Sequence, residues 1–234
     1  MFRQRNVGAL WIPGDPKVGA TLDRLHRESR HDRIVFAKAF PTGLLALLRG
    51  QSWFKAVTPR LKHTYVKVGY EAGELMYTTA RAINARRVVE FGTGFGFSTI
   101  YLALAVRDNG GGTVFSAEIE PTKIDVASAN LTDAGLRNFV EFRMGDALET
   151  LRDVEAPIDM VLLDGWNEAY IPIVELLKPK LRFGSVVFAD NVKFFKNGLR
   201  PYVEHMRDRR NGFVTTTQSA GSGFEYSVYL GPNA

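Results

Sequence analysis

The chain has 234 residues, 45% hydrophobic and 24% charged, with no cysteine. That length supports one α/β domain with a substantial core, and the lack of cysteine excludes a disulfide scaffold or a thiolate metal site and suits a reducing compartment. The net charge of +5 does not by itself imply nucleic acid, because the densest basic clusters, Arg24–Arg33 and Arg207–Arg210, are interleaved with acids or histidines; a solvated surface is the first reading, with an anionic substrate or a weak membrane contact second.

In chain order, the first apolar run, Val7–Ile12, breaks at Pro13, too short for a secretion signal, and Gly43–Leu48 falls far short of the ~20 residues that span a bilayer. The expectation is a cytoplasmic protein with no membrane span. Residues 1–60 read as a helical extension, with helix-compatible segments at Thr21–Arg30 and Ile34–Ala39 and another starting at Pro41. Such an extension serves as a lid or as a dimer arm, so a homodimer is one expectation. Residues 61–234 read as the main domain.

From Glu71 to Asn84 apolar residues recur at helical spacing, and strands then alternate with helices. The predicted strands are Val88–Phe91, Thr113–Ala117, Val140–Arg143, Met160–Leu163, Ser185–Ala189, Phe213–Gln218 and Tyr226–Leu230. The predicted helices between them are Ser98–Val106, Thr122–Ala134, Ala147–Val154, Glu168–Leu177 and a last one near Leu199–Arg209. Repeated β-α-β units imply an α/β fold with a mostly parallel sheet, closed here by an antiparallel hairpin. Ligands of such sheets bind at the carboxyl ends of the strands, where strand order reverses.

The first strand runs into Glu90-Phe91-Gly92-Thr93-Gly94-Phe95-Gly96-Phe97-Ser98. The G-x-G-x-G spacing differs from the G-x-G-x-x-G of pyrophosphate binders, and an acid two residues before the first glycine suits an ammonium. A ligand with both an ammonium and a carboxylate, such as S-adenosylmethionine (SAM), fits: Glu90 for the one, Ser98 and the helix N-terminus for the other. The alternative is a tight turn in which Glu90 caps a neighbour. Glu118 lies 22 residues after Gly96, where nucleotide-binding folds place an acid on the ribose hydroxyls. Asp146, in Gly145-Asp146-Ala147, either accepts from the adenine amino group or caps the next helix.

Asp164 follows the fourth strand, and Asp190-Asn191 follow the fifth. Adjacent strands lie ~4.8 Å apart, so the three side chains converge into an all-oxygen donor set. Two carboxylates and an amide suit Mg²⁺ and leave positions for substrate oxygens.

Together Val68-Gly69, EFGTGFGFS from Glu90, AEIEP from Ala117, GDA from Gly145, DMVLLDGW from Asp159 and ADNV from Ala189 resemble the catechol and caffeoyl-CoA O-methyltransferase superfamily, the catechol branch more closely. The resemblance runs from about Val66 to Gly231. It implies a Rossmann-like, SAM-dependent methyltransferase fold with a seven-stranded sheet, and a Mg²⁺-dependent transfer to a small-molecule hydroxyl. It implies SAM contacts from Val68, Glu90, Gly92, Ser98 and Glu118, with Gly94, Asp146, Ala147 and Asp164 along the same cleft. Asp164, Asp190 and Asn191 become the metal ligands, and Trp166 a wall of the site or, alternatively, a core residue.

One departure concerns the base. The catechol enzymes carry a lysine three residues after the first metal aspartate, and here that residue is Asn167, which takes no proton at neutral pH. Lys193 is the nearest substitute, ahead of Lys196, His63 and His205, with a solvated loop lysine as its alternative; the working expectation is that metal coordination alone activates the nucleophile. The family acid near the last hairpin has no counterpart among Thr215–Gln218. Three rivals stay open: transfer to a sugar or polyketide hydroxyl, a nicotinamide dehydrogenase, and a non-catalytic SAM-binding module.

Overall fold

The computed structural model describes residues 15–29, 41–46, 48–49, 69–219 and 222–232. Seven strands, β1 (Arg87–Phe91), β2 (Thr113–Glu118), β3 (Val140–Met144), β4 (Ile158–Leu163), β5 (Leu181–Ala189), β6 (Phe213–Gln218) and β7 (Phe224–Tyr229), form one sheet in the order β3-β2-β1-β4-β5-β7-β6. The first five pair in parallel, and β7 runs antiparallel to both β5 and β6. The helices are α1 (Pro16–Glu28), α2 (Tyr70–Ala82), α3 (Phe97–Asp108), α4 (Pro121–Asp133), α5 (Ala147–Thr150), α6 (Tyr170–Leu177) and α7 (Lys196–Arg207); residues 41–46 are helical as well.

Strand patterning follows position in the sheet. β4 is buried along its whole length, so it reads as an almost unbroken apolar run, whereas the edge strand β6 alternates. Neighbouring residues divide the core between the two faces. Val88, Met160, Leu162 and Phe188 join α1, α2 and α3 on one side. Val89, Val161, Leu163 and Val187 join α5, α6 and α7 on the other. α3 is buried from Phe97 to Val106 because it is covered on all sides, which explains its lack of a polar face.

Several boundaries move from the sequence reading. The first helix starts at Pro16 because Asp15 caps it, accepting from the amides of Lys17 (3.1 Å) and Val18 (3.2 Å). Its Val18, Leu22 and Leu25 enter the same core as α3, so this part of the extension is integral to the domain. The helix expected to reach Val154 ends at Thr150, and the last strand begins at Phe224, two residues early. The predicted helix Ile34–Ala39 lies outside the described residues. Among the described residues no helix is long and apolar enough to cross a membrane.

Strand order reverses at β1, with β2 on one side and β4 on the other. The carboxyl ends of β1, β2, β4 and β5 therefore open on one edge, and β4 and β5 pair directly as the convergence of Asp164 and Asp190 requires.

Candidate functional site

The turn after β1 is pinned between its neighbours. The Gly92 amide donates to Ala117 O (3.0 Å) at the end of β2, and the Asp164 amide donates to Phe91 O (2.8 Å). Gly92 has φ +100°, a conformation that disfavours a side chain, and a Cβ there would meet the Asp164 carbonyl at 2.5 Å.

Glu90 is fully buried beneath this turn and accepts from three hydroxyls: Ser98 (2.6 Å), Thr99 (2.6 Å) and Ser116 (2.5 Å). The two side chains expected to divide an ammonium and a carboxylate between them are thus bonded to each other. Glu118, at the end of β2, reaches back to the turn, accepting from the Gly94 amide (3.0 Å) as well as from Ile119 (2.9 Å) and Glu120 (3.1 Å). Asp146 is exposed and caps α5 through the Leu148 amide (2.8 Å), with Ala147 buried beside it. Val68 lies outside the described residues.

Burial raises the Glu90 carboxyl to about 7, against the lowering effect of its three hydroxyl partners. A carboxyl whose folded pKa lies above its unfolded value favours the fold at low pH, and that contribution fades as pH climbs from the unfolded value to the folded one. Metal-free protein is therefore expected to lose about 3 kcal/mol from this group between pH 4.5 and 7. Urea titrations across that range check it; Glu90→Gln should flatten the slope, and an unchanged slope refutes the assignment.

At the ends of β4 and β5 the side chains of Asp164, Asp190 and Asn191 meet. Asn191 has φ +71°, a conformation asparagine tolerates, and its amide nitrogen donates to Asp164 Oδ1 at 3.0 Å. Asp190 is buried and accepts from the Asn191 amide (2.6 Å) and from the Ser222 hydroxyl. Burial, then the charges of Asp190 and Glu90, raises the Asp164 carboxyl well above its ordinary value; burial lifts Asp190 to about 6.

The charge of one carboxylate acting on its neighbour in a largely buried setting is what a divalent cation relieves, and the set is made of hard oxygen donors. Among the described residues no three His, Cys, Asp or Glu side chains cluster as metal ligands, so a third protein donor beside Asp164 and Asp190 would have to be the Asn191 carboxamide. These residues fit Mg²⁺.

The candidate bases are placed differently. Asn167 packs against Gly198 of α7, and its Oδ1 is buried without a hydrogen-bond partner. Lys193 lies along the last hairpin: its stem crosses Gly223 and its ammonium donates to Ser219 (2.7 Å). His205 engages Glu175 (3.0 Å). Tyr170 is fully buried, its hydroxyl donates to Asp190 O (3.4 Å), and burial pushes it well above the ordinary phenol range, so it stays protonated. Trp166 is exposed rather than in the core.

The sequence reading found no family acid among Thr215–Gln218, and it did not single out a buried acid on the neighbouring strand. Glu225 stands on β7, fully buried, bonded to Arg207 (3.1 Å), Thr215 (2.9 Å) and Thr217 (2.5 Å). Its signal was the strand run Phe224–Tyr229, which the predicted boundary at Tyr226 cut short.

Residues 89–192 match a family described as a methyltransferase domain. The chain is 37% identical over 128 residues to a catechol O-methyltransferase of Mycobacterium tuberculosis, an alignment covering 54% of this chain and 57% of that protein, a little over half its length. It is 28% identical over 244 residues to catechol O-methyltransferase B of Danio rerio, covering 97% of this chain and 88% of the relative. The crystal structure of the O-methyltransferase TomG from Streptomyces achromogenes, involved in tomaymycin synthesis and solved with SAM, aligns with a TM-score of 0.65 at 29% identity, covering 71% of this chain and 82% of that one.

Proposed function

We propose that the chain, which has a Rossmann-like fold and is similar to catechol and caffeoyl-CoA O-methyltransferases, belongs with them and is a SAM- and Mg²⁺-dependent enzyme that methylates a hydroxyl of a small catechol-like molecule. The observation that carries this reading is the pair of carboxylates at the mouth of two adjacent strands, bridged by Asn191, whose backbone N–H donates to Asp190 and whose side-chain amide donates to Asp164. When bound, SAM supplies the methyl on a sulfonium, and Mg²⁺ lowers the pKa of a vicinal hydroxyl.

The chain's own residues bind and align. The turn from Gly92 to Gly96 and Glu118 line the cofactor side, while Asp164, Asp190 and Asn191 hold the metal beside it. Fixing both partners in line contributes most of the rate a displacement of this kind needs. Trp166, at the exposed rim, suits an aromatic acceptor.

Asn167 has no basic group, and Lys193 is tied to Ser219. With neither poised to take a proton, the acceptor must be acidic in its own right, which favours a phenolic hydroxyl over an aliphatic one. We assign residues 61–234 to the catalytic domain, with α1 packed into its core, and the rest of residues 1–60 to a helical extension, a lid or the arm of a homodimer.

Mass spectrometry of a hydroxyl panel incubated with SAM tests the proposal, run with Mg²⁺ and again with EDTA. The expected result is a gain of one CH₂ on catechols, lost with EDTA. Transfer only to aliphatic or sugar hydroxyls, transfer indifferent to EDTA, or tight SAM binding with no transfer overturns it.

A further inference from the structure

At the opposite edge of the sheet, where the strands begin, lies a cleft of about 520 Å³ walled by Arg86, Arg87, Arg182, Asp159, Phe115 and Pro157. Its guanidinium groups are held largely by backbone carbonyls, although Arg182 also donates to Asp159 and Arg87 faces Glu155. Arg86 donates to Asn109 O (3.2 Å) and Arg87 to Pro157 O (3.2 Å). Arg182 donates to Ile83 O (3.0 Å) and to Phe183 O (3.1 Å).

The carboxylate in the cleft, Asp159, is already committed. One oxygen accepts from the backbone amides of Arg86 (2.8 Å) and Arg87 (2.9 Å), the other from Arg182 Nε (2.6 Å). Its carboxyl is correspondingly held low by those donors, against the opposing effect of burial. Glu155 is the other acid nearby, 3.7 Å from Arg87 and 84% exposed, so water screens it. Backbone carbonyls orient a guanidinium without neutralising it. Three arginines against Asp159 and Glu155 leave the cleft a positive excess, carried by Arg87 and Arg182, which are half-buried, and by Arg86, which is exposed, and a concave wall concentrates that field.

We propose that this cleft binds a phosphate-bearing small molecule, with Arg86 and Arg87 meeting the phosphate and Phe115 and Pro157 lying against its organic part. Guanidinium forks match phosphate oxygens in pairs, which a lone lysine does not. The site stands at the far ends of the strands from Asp164 and Asp190 and does not depend on the chemistry proposed there.

The test uses the full-length protein and inorganic pyrophosphate as probe. The Nε–H resonances of Arg86 and Arg87 should shift saturably in ¹⁵N-correlated spectra, and Arg86→Gln combined with Arg87→Gln should weaken binding about tenfold or more. S-adenosylhomocysteine affinity should stay unchanged in the same variant, which also reports that it is folded. Absence of saturable shifts in the wild-type protein at millimolar pyrophosphate overturns the proposal even if the variant fails to fold. So does equal affinity in a folded variant.

Discussion

Asp164→Asn is expected to lower kcat/KM roughly 10³-fold or more while raising the melting temperature of EDTA-treated protein. Both effects come from one fact: Asp164 is half-buried and Asp190 buried at adjoining strand ends, burial raises both carboxyls above the ordinary range, and the charge of Asp190 raises Asp164 further. Without a cation, holding two such charges below the surface costs stability, and removing one relieves it by about 1–2 kcal/mol. In a chain of 234 residues that is a rise of a few degrees.

The substitution is isosteric, and an amide oxygen at position 164 still accepts the 3.0 Å hydrogen bond that Asn191 donates. Local geometry is therefore preserved while the donor charge is lost. Magnesium should raise the melting temperature of the wild-type protein and leave that of the variant unmoved, because ligand that binds only the folded state stabilises in proportion to its affinity. Calorimetric melts with and without Mg²⁺, beside initial rates of catechol methylation, measure both halves. A variant that melts lower than wild type in EDTA, or still responds to Mg²⁺, contradicts the charge-pair account.

What the sequence discloses here is local, and what it conceals is set by partners far along the chain. The strands are legible because apolar runs such as Met160–Leu163 end at a polar residue, and the site residues are legible because they follow those runs. Glu90 was legible as an acid at a glycine-rich turn. Its saturation by hydroxyls was not, because Ser116 comes from β2, 26 residues away, and no periodicity in the intervening helix announces that contact.

Lys193 is a similar case. Its spacing from Asn191 suggested a base, but the direction of its side chain is set by Gly223 and Ser219 on the following hairpin. Asp159 went unremarked within the apolar strand, yet it ties the amino ends of β1 and β5 together through Arg86, Arg87 and Arg182. Hydrogen-bonding of this kind depends on register between strands, which pattern reading does not supply.

Gly92→Ala is expected to cost about 3–5 kcal/mol of folding stability, combining a strained backbone with an overpacked contact. At φ +100° an alanine is strained whatever surrounds it, and here its Cβ would lie 2.5 Å from Asp164 O, 2.8 Å from Asp164 C and 3.0 Å from Gly165 N. All three are backbone atoms, so no side chain can swing aside. The converse contact is equally close, since a Cβ on Gly165 would meet the Phe91 ring at 2.5 Å.

The two turns can separate only by disturbing the Asp164 amide on Phe91 O (2.8 Å) or the Gly92 amide on Ala117 O (3.0 Å), and those bonds align the proposed cofactor and metal sides of the cleft. Gly111→Ala is the matched control. It has φ +107° with open space around it, so it carries the backbone strain without the collision and should cost about 1–2 kcal/mol. Denaturant midpoints of the two variants, at unchanged m-value, isolate the contact as their difference. Equal losses would mean that the turns after β1 and β4 are not in register as described, and the alignment of Asp164 with the glycine turn would fall with them.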